Sequence, residues 1–434
     1  MSGSNFYFRN HRKSMSDLFR SKVDLIQIIP KLYKTTSNKK GRTMIIKPLI
    51  RRNICINAHP LGCAAQVRAQ INYVMDREKI VGPRKVLVIG ASNGYGLAAR
   101  IVSAFASNAA TIGVGFEKPG TASRAGTAGW YNIEAFRQDA EKAGLSAWNV
   151  NGDAFSEETK SNIIDIIKDK LDTIDFLVYS IAAPRRIDPA TGEIYSSVIK
   201  PIGKPFTANS MNFLSGVISE VSAEPATTEE IAHTVKVMGG EDWMLWIEKL
   251  LNENLLARGF KTIAFSYIGS DHTRSLYRDG TIGAAKKDLE HKAEHINNML
   301  TAIDGNALIS VNKALITRAS AVIPAVPLYT ALLYRIMKDK NLHEGCIQQM
   351  YRLYHDFLFS GNAPKVDAKG RIRLDDWEMR ADVQREVAAL WHEIDQENIG
   401  DLADIRGLRE EFLRHHGFGM PGVDYSQDVR PDIF

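Results

Sequence analysis

The sequence predicts an α/β fold, a doubly wound Rossmann-type parallel sheet with helical elaborations that form a substrate-binding region. Three observations carry this. Short aliphatic and β-branched runs alternate with amphipathic helical patterns between residues 85 and 311. A glycine-rich turn, Gly90 to Gly96, follows the first run, and an acidic residue, Glu117, closes the second. Strands separated by helices pair in parallel through right-handed crossovers.

Residues 44–56 read as β structure ahead of this pattern. KVLVIG at 85–90 is a buried strand that runs into the glycine turn, and LAARIVSAFA from Leu97 has helical spacing. Further strands are expected at 111–117, 147–154 and 175–184, with the amphipathic helix NIIDIIKDKL from Asn162 before the last. Residues 184–260 interrupt the rhythm with polar loops and helical pieces, including GGEDWMLWIEKLL from Gly239. Strands return at 262–269 and 306–311, and from about Pro327 the chain reads as mostly helical up to a Gly/Pro-rich tail. Helix 327–338, PLYTALLYRIMK, has a mixed aromatic and aliphatic face that suits either an acyl pocket or packing onto the sheet.

Composition is that of a soluble globular protein, with 44% hydrophobic and 24% charged residues in 434. The net charge of +5 is misleading, because residues 1–43 hold ten Lys/Arg against two Asp/Glu and leave the remainder at −3. That body has no basic bias toward nucleic acid. No apolar run reaches the ~18 residues of a membrane span. Residues 1–43 lack the apolar core of a secretory signal and read as a disordered extension ahead of one large unit, 44–434, elaborated at about 184–260 and 320–434. The odd, widely spaced cysteines Cys55, Cys63 and Cys346 fit reduced thiols in the cytoplasm. His59 and Cys63 could share a helix face, but too few ligands stand nearby to expect a metal.

The stretch VIGASNGYGLAAR at 88–100 can be read in two ways. Gly90-Ala91-Ser92-Asn93-Gly94 matches G-x-S-x-G, the elbow of a serine hydrolase, for which His415 or His416 would be the partner base. Gly90, Gly94 and Gly96 equally suit a turn that brings backbone N–H groups to a pyrophosphate at a helix N-terminus. Glu117, 27 residues after Gly90, favours the second reading. A carboxylate there can take the adenosine ribose hydroxyls and would repel a 2′-phosphate, which favours NADH over NADPH. Asp153, closing the third strand, could hydrogen-bond adenine or simply cap the strand end.

In short-chain nicotinamide reductases a tyrosine donates to a substrate oxygen, while a lysine lowers its pKa and binds the ribose. Tyr277 and Lys286 have the spacing for this if a loop before the helix folds the phenol back, and Lys287 is an equal candidate by position.

Taken together, MIIKP at Met44, AHPLGC at Ala58, VLVIGASNGYGLAAR at Val86, GWYN at Gly129, NGDAFS at Asn151 and MGGEDW at Met238 form a specific set. YRDGTIGAAKKDL at Tyr277, VNKALITRAS at Val311 and HEGCIQQMY at His343 complete it. Across about nine-tenths of its length the chain resembles the trans-2-enoyl-CoA reductase and FabV-type enoyl-[acyl-carrier-protein] reductase family. The resemblance implies a monomeric, cytoplasmic Rossmann-type enzyme of fatty acid synthesis. It would use NADH to saturate the 2,3 double bond of an enoyl-ACP or enoyl-CoA thioester. It assigns Tyr277 as proton donor and Lys286 as the cofactor-binding lysine of a Y-x8-K motif, and Tyr267 as a substrate contact. The implied cofactor set is Gly90, Ala91, Ser92, Asn93, Gly94, Tyr95, Phe116, Glu117, Asp153, Ala154, Ile181, Ala182, Lys286, Leu315, Ile316 and Thr317. Asn93 departs from the threonine many members carry, and residues 1–43 lie outside the pattern. A ketoreductase, a serine hydrolase and a non-enzymatic NAD(H) sensor are the competing readings. They predict, in turn, reduction of acetoacetyl thioesters, thioester cleavage without cofactor, and NADH binding without turnover.

Overall fold

The computed structural model describes residues 43–434 apart from 52, 53, 213, 318, 319 and 324. The expected N-terminal extension therefore lies, but for its last residue, outside the described residues. Seven parallel strands form the central sheet: β1 (Lys85–Ile89), β2 (Ala110–Gly115), β3 (Ala147–Asn151), β4 (Ile174–Tyr179), β5 (Leu256–Ser266), β6 (Asn306–Val311) and β7 (Arg371–Arg373). Their order across the sheet is β7-β6-β5-β4-β1-β2-β3. The direction in which successive strands are laid down across the sheet thus reverses between β1 and β4, which opens a crevice at their carboxyl ends.

The period-two alternation of the strands sorts their side chains into two cores. Val86 and Val88 of β1 join Phe176 and Val178 of β4 on one face, under α1 (Pro60–Met75), α2 (Gly94–Ser107) and α3 (Ala128–Lys142). Leu87, Ile89, Leu177 and Tyr179 face the other way, under α4 (Glu157–Lys170) and the later helices Glu241–Asn252 and Thr281–Leu300. A strand buried on both faces must be apolar throughout, as KVLVI is.

The expected strands occur, but those expected at 111–117, 147–154, 175–184 and 262–269 end two to five residues earlier, at Gly115, Asn151, Tyr179 and Ser266, and two further differences stand out. β5 starts earlier than its apolar run, and its register with β4 shifts between Leu256 and Lys261, where Gly259 takes φ +76. β7 was not expected at all. Its Arg-Ile-Arg sequence carries one apolar residue, and Arg371 is held by Glu290 and Asp367 from elsewhere in the chain.

The interruption at 184–260 contains helices α5 (Thr228–Met238) and α6 (Glu241–Asn252), as expected, but also two antiparallel pairs where loops were expected. These are Arg185–Ile187 with Ile194–Ser196, and Phe206–Asn212 with Val217–Ala223. Their mostly solvent-facing side chains explain why the sequence looks loop-like there. Helix α7 (Thr281–Leu300) follows β5. The C-terminal third supplies α8 (Val326–Asp339), α9 (Cys346–Arg352), α10 (Ala381–Glu393) and α11 (Ile405–Arg414), apart from one short turn of helix.

At 44–56 the β structure is limited to the Ile50–Arg51/Ile54–Cys55 pair and a bridge from Met44 to Val429. His59 Nδ1 accepts from the Gly62 N–H at 3.1 Å and caps α1. No helix among the described residues is long and apolar enough to cross a membrane.

Candidate active site

The glycine turn sits at the reversal point. Gly90 has φ +85, and a Cβ there would lie 2.1 Å from the Ser180 carbonyl oxygen at the end of β4. A Cβ on Gly96 would lie 2.0 Å from the Gly90 carbonyl oxygen, so this glycine lets α2 seat against the strand end. Gly94 differs: it takes φ +53 and faces open space at the start of α2. Two glycines therefore close the turn and the third opens it where a phosphate would approach the helix N-terminus. The residues present fit a dinucleotide.

Ser92 settles the competing reading of the same turn. Its hydroxyl donates to Glu117 Oε1 at 2.7 Å, and the Asn93 amide reaches the same oxygen at 3.3 Å. Neither histidine approaches it. His415 Nε2 meets the Ile316 carbonyl, and His416 Nδ1 meets the Phe412 carbonyl. Among the described residues the Ser92 hydroxyl is engaged by the Glu117 carboxylate, not by the histidine base of a nucleophilic serine. Asn132 ties the arrangement down by donating to Ser92 O and Asn93 Oδ1. Gly129 leaves room for the carboxylate, since a Cβ there would fall 2.1 Å from Glu117 Oε1.

Phe116 beside it is 76% exposed, an unusual position for a phenyl ring. Asp153 Oδ1 accepts from the Phe155 N–H, so the strand-end cap is real. Ala154 is buried, with its carbonyl held by Trp246 Nε1. Ile181 is partly buried and Ala182 exposed just beyond β4, on the rim of the same crevice. Ala91 is fully buried. Tyr95 links the turn to the segment after β6, donating to the Lys313 carbonyl at 2.8 Å. That segment holds Leu315 and Ile316, both buried, and Thr317. Ile316 N–H donates to Tyr334 Oη, and the Leu315 carbonyl accepts from Ser320.

Tyr277 and Lys286 converge on the carboxyl end of β5. Tyr277 lies in the turn before α7, 6% exposed, its ring edge-on to that of Tyr267 at 4.7 Å and 87°. Lys286 donates from Nζ to the Phe265 carbonyl at 3.0 Å, whereas Lys287 points to solvent. That separates two lysines the sequence could not. The turn depends on Gly283, where a Cβ would lie 2.3 Å from the Tyr277 carbonyl oxygen. Residues from the 184–260 region clamp it from outside: Thr281 N–H donates to the Lys200 carbonyl and Thr281 Oγ1 to the Val198 carbonyl.

Burial lowers the Lys286 pKa to about 8 and raises that of Tyr277 above the usual phenol range. The shift runs opposite to the lowering that a lysine partner is expected to give. A desolvated phenol keeps its proton and is poised as a donor.

Sequence reasoning missed Glu378. It is fully buried just ahead of α10, and its Oε1 accepts from Tyr267 at 3.2 Å and Tyr329 at 2.7 Å. Its Oε2 accepts from the Ala314 N–H at 2.6 Å. No local motif marks it, because all three donors come from other parts of the chain. Helix α8 is correspondingly a packing helix over most of its length, with Leu328, Leu332, Leu333 and Met337 buried in two cores.

Three family models cover the chain in succession. "NAD(P)H binding domain of trans-2-enoyl-CoA reductase" matches residues 45–122, "Trans-2-enoyl-CoA reductase catalytic region" 124–359, and "Enoyl reductase FAD binding domain" 366–429. The chain belongs to the trans-2-enoyl-CoA reductase family.

Among its relatives in that family, the enoyl-[acyl-carrier-protein] reductase [NADH] of Flavobacterium johnsoniae is 53% identical over 386 residues, 89% of this chain and 98% of the relative. The trans-2-enoyl-CoA reductase [NADH] of Ruminiclostridium cellulolyticum is 50% identical over 90% of this chain and 98% of its own. The crystal structure of the Clostridium acetobutylicum trans-2-enoyl-CoA reductase in complex with NADH superposes with a TM-score of 0.88 at 48% identity, covering 90% of this chain and 98% of that one. The third model carries a flavin in its description alone, and the relative's structure holds NADH.

Proposed function

We propose that this chain uses NADH to reduce the 2,3 double bond of trans-2-enoyl thioesters, enoyl-CoA or enoyl-ACP, in fatty acid synthesis. The observation that carries the reading is the meeting of Tyr277, Tyr267 and Lys286 at the end of β5, beside the open glycine turn. When bound, NADH supplies a hydride to the β-carbon of the thioester. Charge then builds on the thioester oxygen, the buried, protonated Tyr277 phenol donates to it, and a proton taken up at the α-carbon completes the saturated thioester. Lys286 holds the ribose hydroxyls. Its ammonium adds positive potential in a site where burial weakens screening.

Glu117, oriented by Ser92 and Asn93, takes the adenosine ribose hydroxyls, and a 2′-phosphate would meet its charge. Phe116 offers its exposed face to the adenine and Asp153 its second carboxylate oxygen. Ala91, Tyr95, Ala154, Ile181 and Ala182 wall the crevice, and Leu315, Ile316 and Thr317 close its far side. We further propose a cytoplasmic monomer whose described elements form one unit around the central sheet, with residues 184–260 and 320–434 covering the substrate.

The decisive experiment follows NADH oxidation with crotonyl-CoA, a long-chain enoyl-CoA and an enoyl carrier protein in parallel, with acetoacetyl-CoA as control. Turnover of an enoyl thioester with NADH supports the reading, and the faster carrier identifies the physiological one. Reduction of acetoacetyl-CoA alone, or NADH binding without any turnover, overturns it. Sedimentation velocity tests the monomer.

A further inference from the structure

Glu378 collects three donors in a site with no access to water: the hydroxyls of Tyr267 and Tyr329 and the Ala314 N–H. Gln384 braces this arrangement, donating to Tyr329 Oη at 3.2 Å and to the Glu378 carbonyl at 2.7 Å. An ionised carboxylate is an acceptor only, and three converging donors suit that form. A phenol has one proton to give. The one on Tyr267 is committed to Glu378, so it is not available to a substrate oxygen. The Tyr267 ring, anchored at its hydroxyl, is the ring that meets Tyr277 edge-on.

We propose that Glu378 is a positioning residue. By accepting the Tyr267 hydroxyl it fixes that ring against Tyr277 and leaves Tyr277 as the phenol that donates to the thioester oxygen. The proposal rests on the enoyl reductase reading and adds to it a residue from the C-terminal helical region, far in sequence from the Tyr277–Lys286 motif.

The charges around Glu378 oppose one another. Burial raises its pKa, while the Ala314 N–H, the buried Lys313 ammonium and the Tyr329 hydroxyl pull it down, and Asp375 pushes it up again. Tyr95, Tyr267 and Tyr277 face it as well. Acidification protonates the carboxylate and releases Tyr267, so turnover should show an acid limb that a glutamine cannot reproduce.

The test is a double-mutant cycle with crotonyl-CoA and NADH. Glu378→Gln leaves a single accepting oxygen, which cannot serve the phenols and the Ala314 N–H together, and an amide nitrogen that must face donors on one side. Glu378→Gln and Tyr267→Phe should each lower kcat ~5- to 10-fold, and the double variant should fall no further than the worse single one, because both act through the same contact. A merely structural role for Glu378, through Tyr329 or the Ala314 backbone, makes the losses multiply to ~25- to 100-fold. The acid limb of the wild-type kcat profile should vanish in Glu378→Gln and persist in Glu378→Asp.

A readout without turnover is the ¹³Cζ-tyrosine NMR spectrum, where Glu378→Gln should displace the Tyr267 resonance assigned by its loss in Tyr267→Phe. Should Glu378→Gln fail to fold, as judged by its melting transition, Tyr267→Phe carries the test, since removing that hydroxyl must by itself abolish the acid limb. Multiplicative losses, an unchanged acid limb or an unmoved Tyr267 resonance overturn the proposal and leave the reductase reading standing. A wild-type chain inert on every enoyl thioester overturns both.

Discussion

Ser92 donates its hydroxyl to Glu117 Oε1 at 2.7 Å, across the gap between the glycine turn and the end of β2. The two residues come from competing interpretations of the sequence, a hydrolase nucleophile and a ribose-binding acid. Their hydrogen bond shows the serine serving the acid. A carboxylate held by Ser92 and Asn93 cannot swing away from an incoming 2′-phosphate.

NADH should therefore support turnover at least ~10²-fold better than NADPH, the size of a like-charge clash of a few kcal/mol. Glu117→Gln keeps an oxygen for Ser92 and removes the charge, and should narrow that ratio ~10-fold or more. Ser92→Ala should weaken NADH binding modestly and preserve turnover. Steady-state kinetics with both cofactors checks this. Equal rates with NADH and NADPH in the unmodified protein, or labelling of Ser92 by a fluorophosphonate with loss of thioester cleavage, would contradict it.

Tyr277→Phe removes the donor and keeps the ring that packs on Tyr267. The loss should appear in kcat, ~10²-fold or more, on the scale of one oxyanion donor, with NADH affinity nearly unchanged. Crotonyl-CoA kinetics and a fluorescence titration of NADH measure the two quantities. More than about half the wild-type kcat would assign the donor elsewhere, well short of the loss of an oxyanion donor.

Burial sets the Lys286 pKa near 8, so its ammonium is present below that pH and is lost above it. NADH affinity should weaken as pH rises through 8 toward 10, to the extent that bound NADH does not itself retain the proton. Lys286→Met should bind NADH weakly at every pH and show no such dependence, while Lys287→Met behaves as wild type. Titrations across that range decide between the lysines independently of turnover.

His59, fully buried, has its pKa lowered to about 4 by desolvation, against an ordinary value of 6.5. A depressed folded-state pKa means the unfolded chain binds the proton first. The stability tied to neutral His59 is complete above 6.5 and drains away as pH falls from there to about 4. Between pH 7 and 5 that amounts to ~2 kcal/mol. His59→Asn keeps an acceptor at the helix cap and should flatten this part of the profile. Denaturant melts of both proteins at the two pH values give the difference directly.

The amino-acid sequence alone determined what depends on neighbours in the chain. Strands such as KVLVI announce burial on both faces, the glycines Gly90, Gly94 and Gly96 mark a turn at a helix N-terminus, and Tyr277 and Lys286 stand at a motif spacing. It did not reveal β7, whose Arg-Ile-Arg carries no apolar pattern because it is an edge strand paired with β6 and held by ion pairs. Nor did it separate Lys286 from Lys287, or decide whether Ser92 is a nucleophile. Only tertiary structure decided these. Burial of one lysine against the Phe265 carbonyl, the closing of Ser92 onto Glu117, and the gathering of Tyr267, Tyr329 and Ala314 around Glu378 join residues tens to more than a hundred positions apart. A carboxylate acquires its role from the donors that surround it, and those donors are set by packing, which no local pattern encodes.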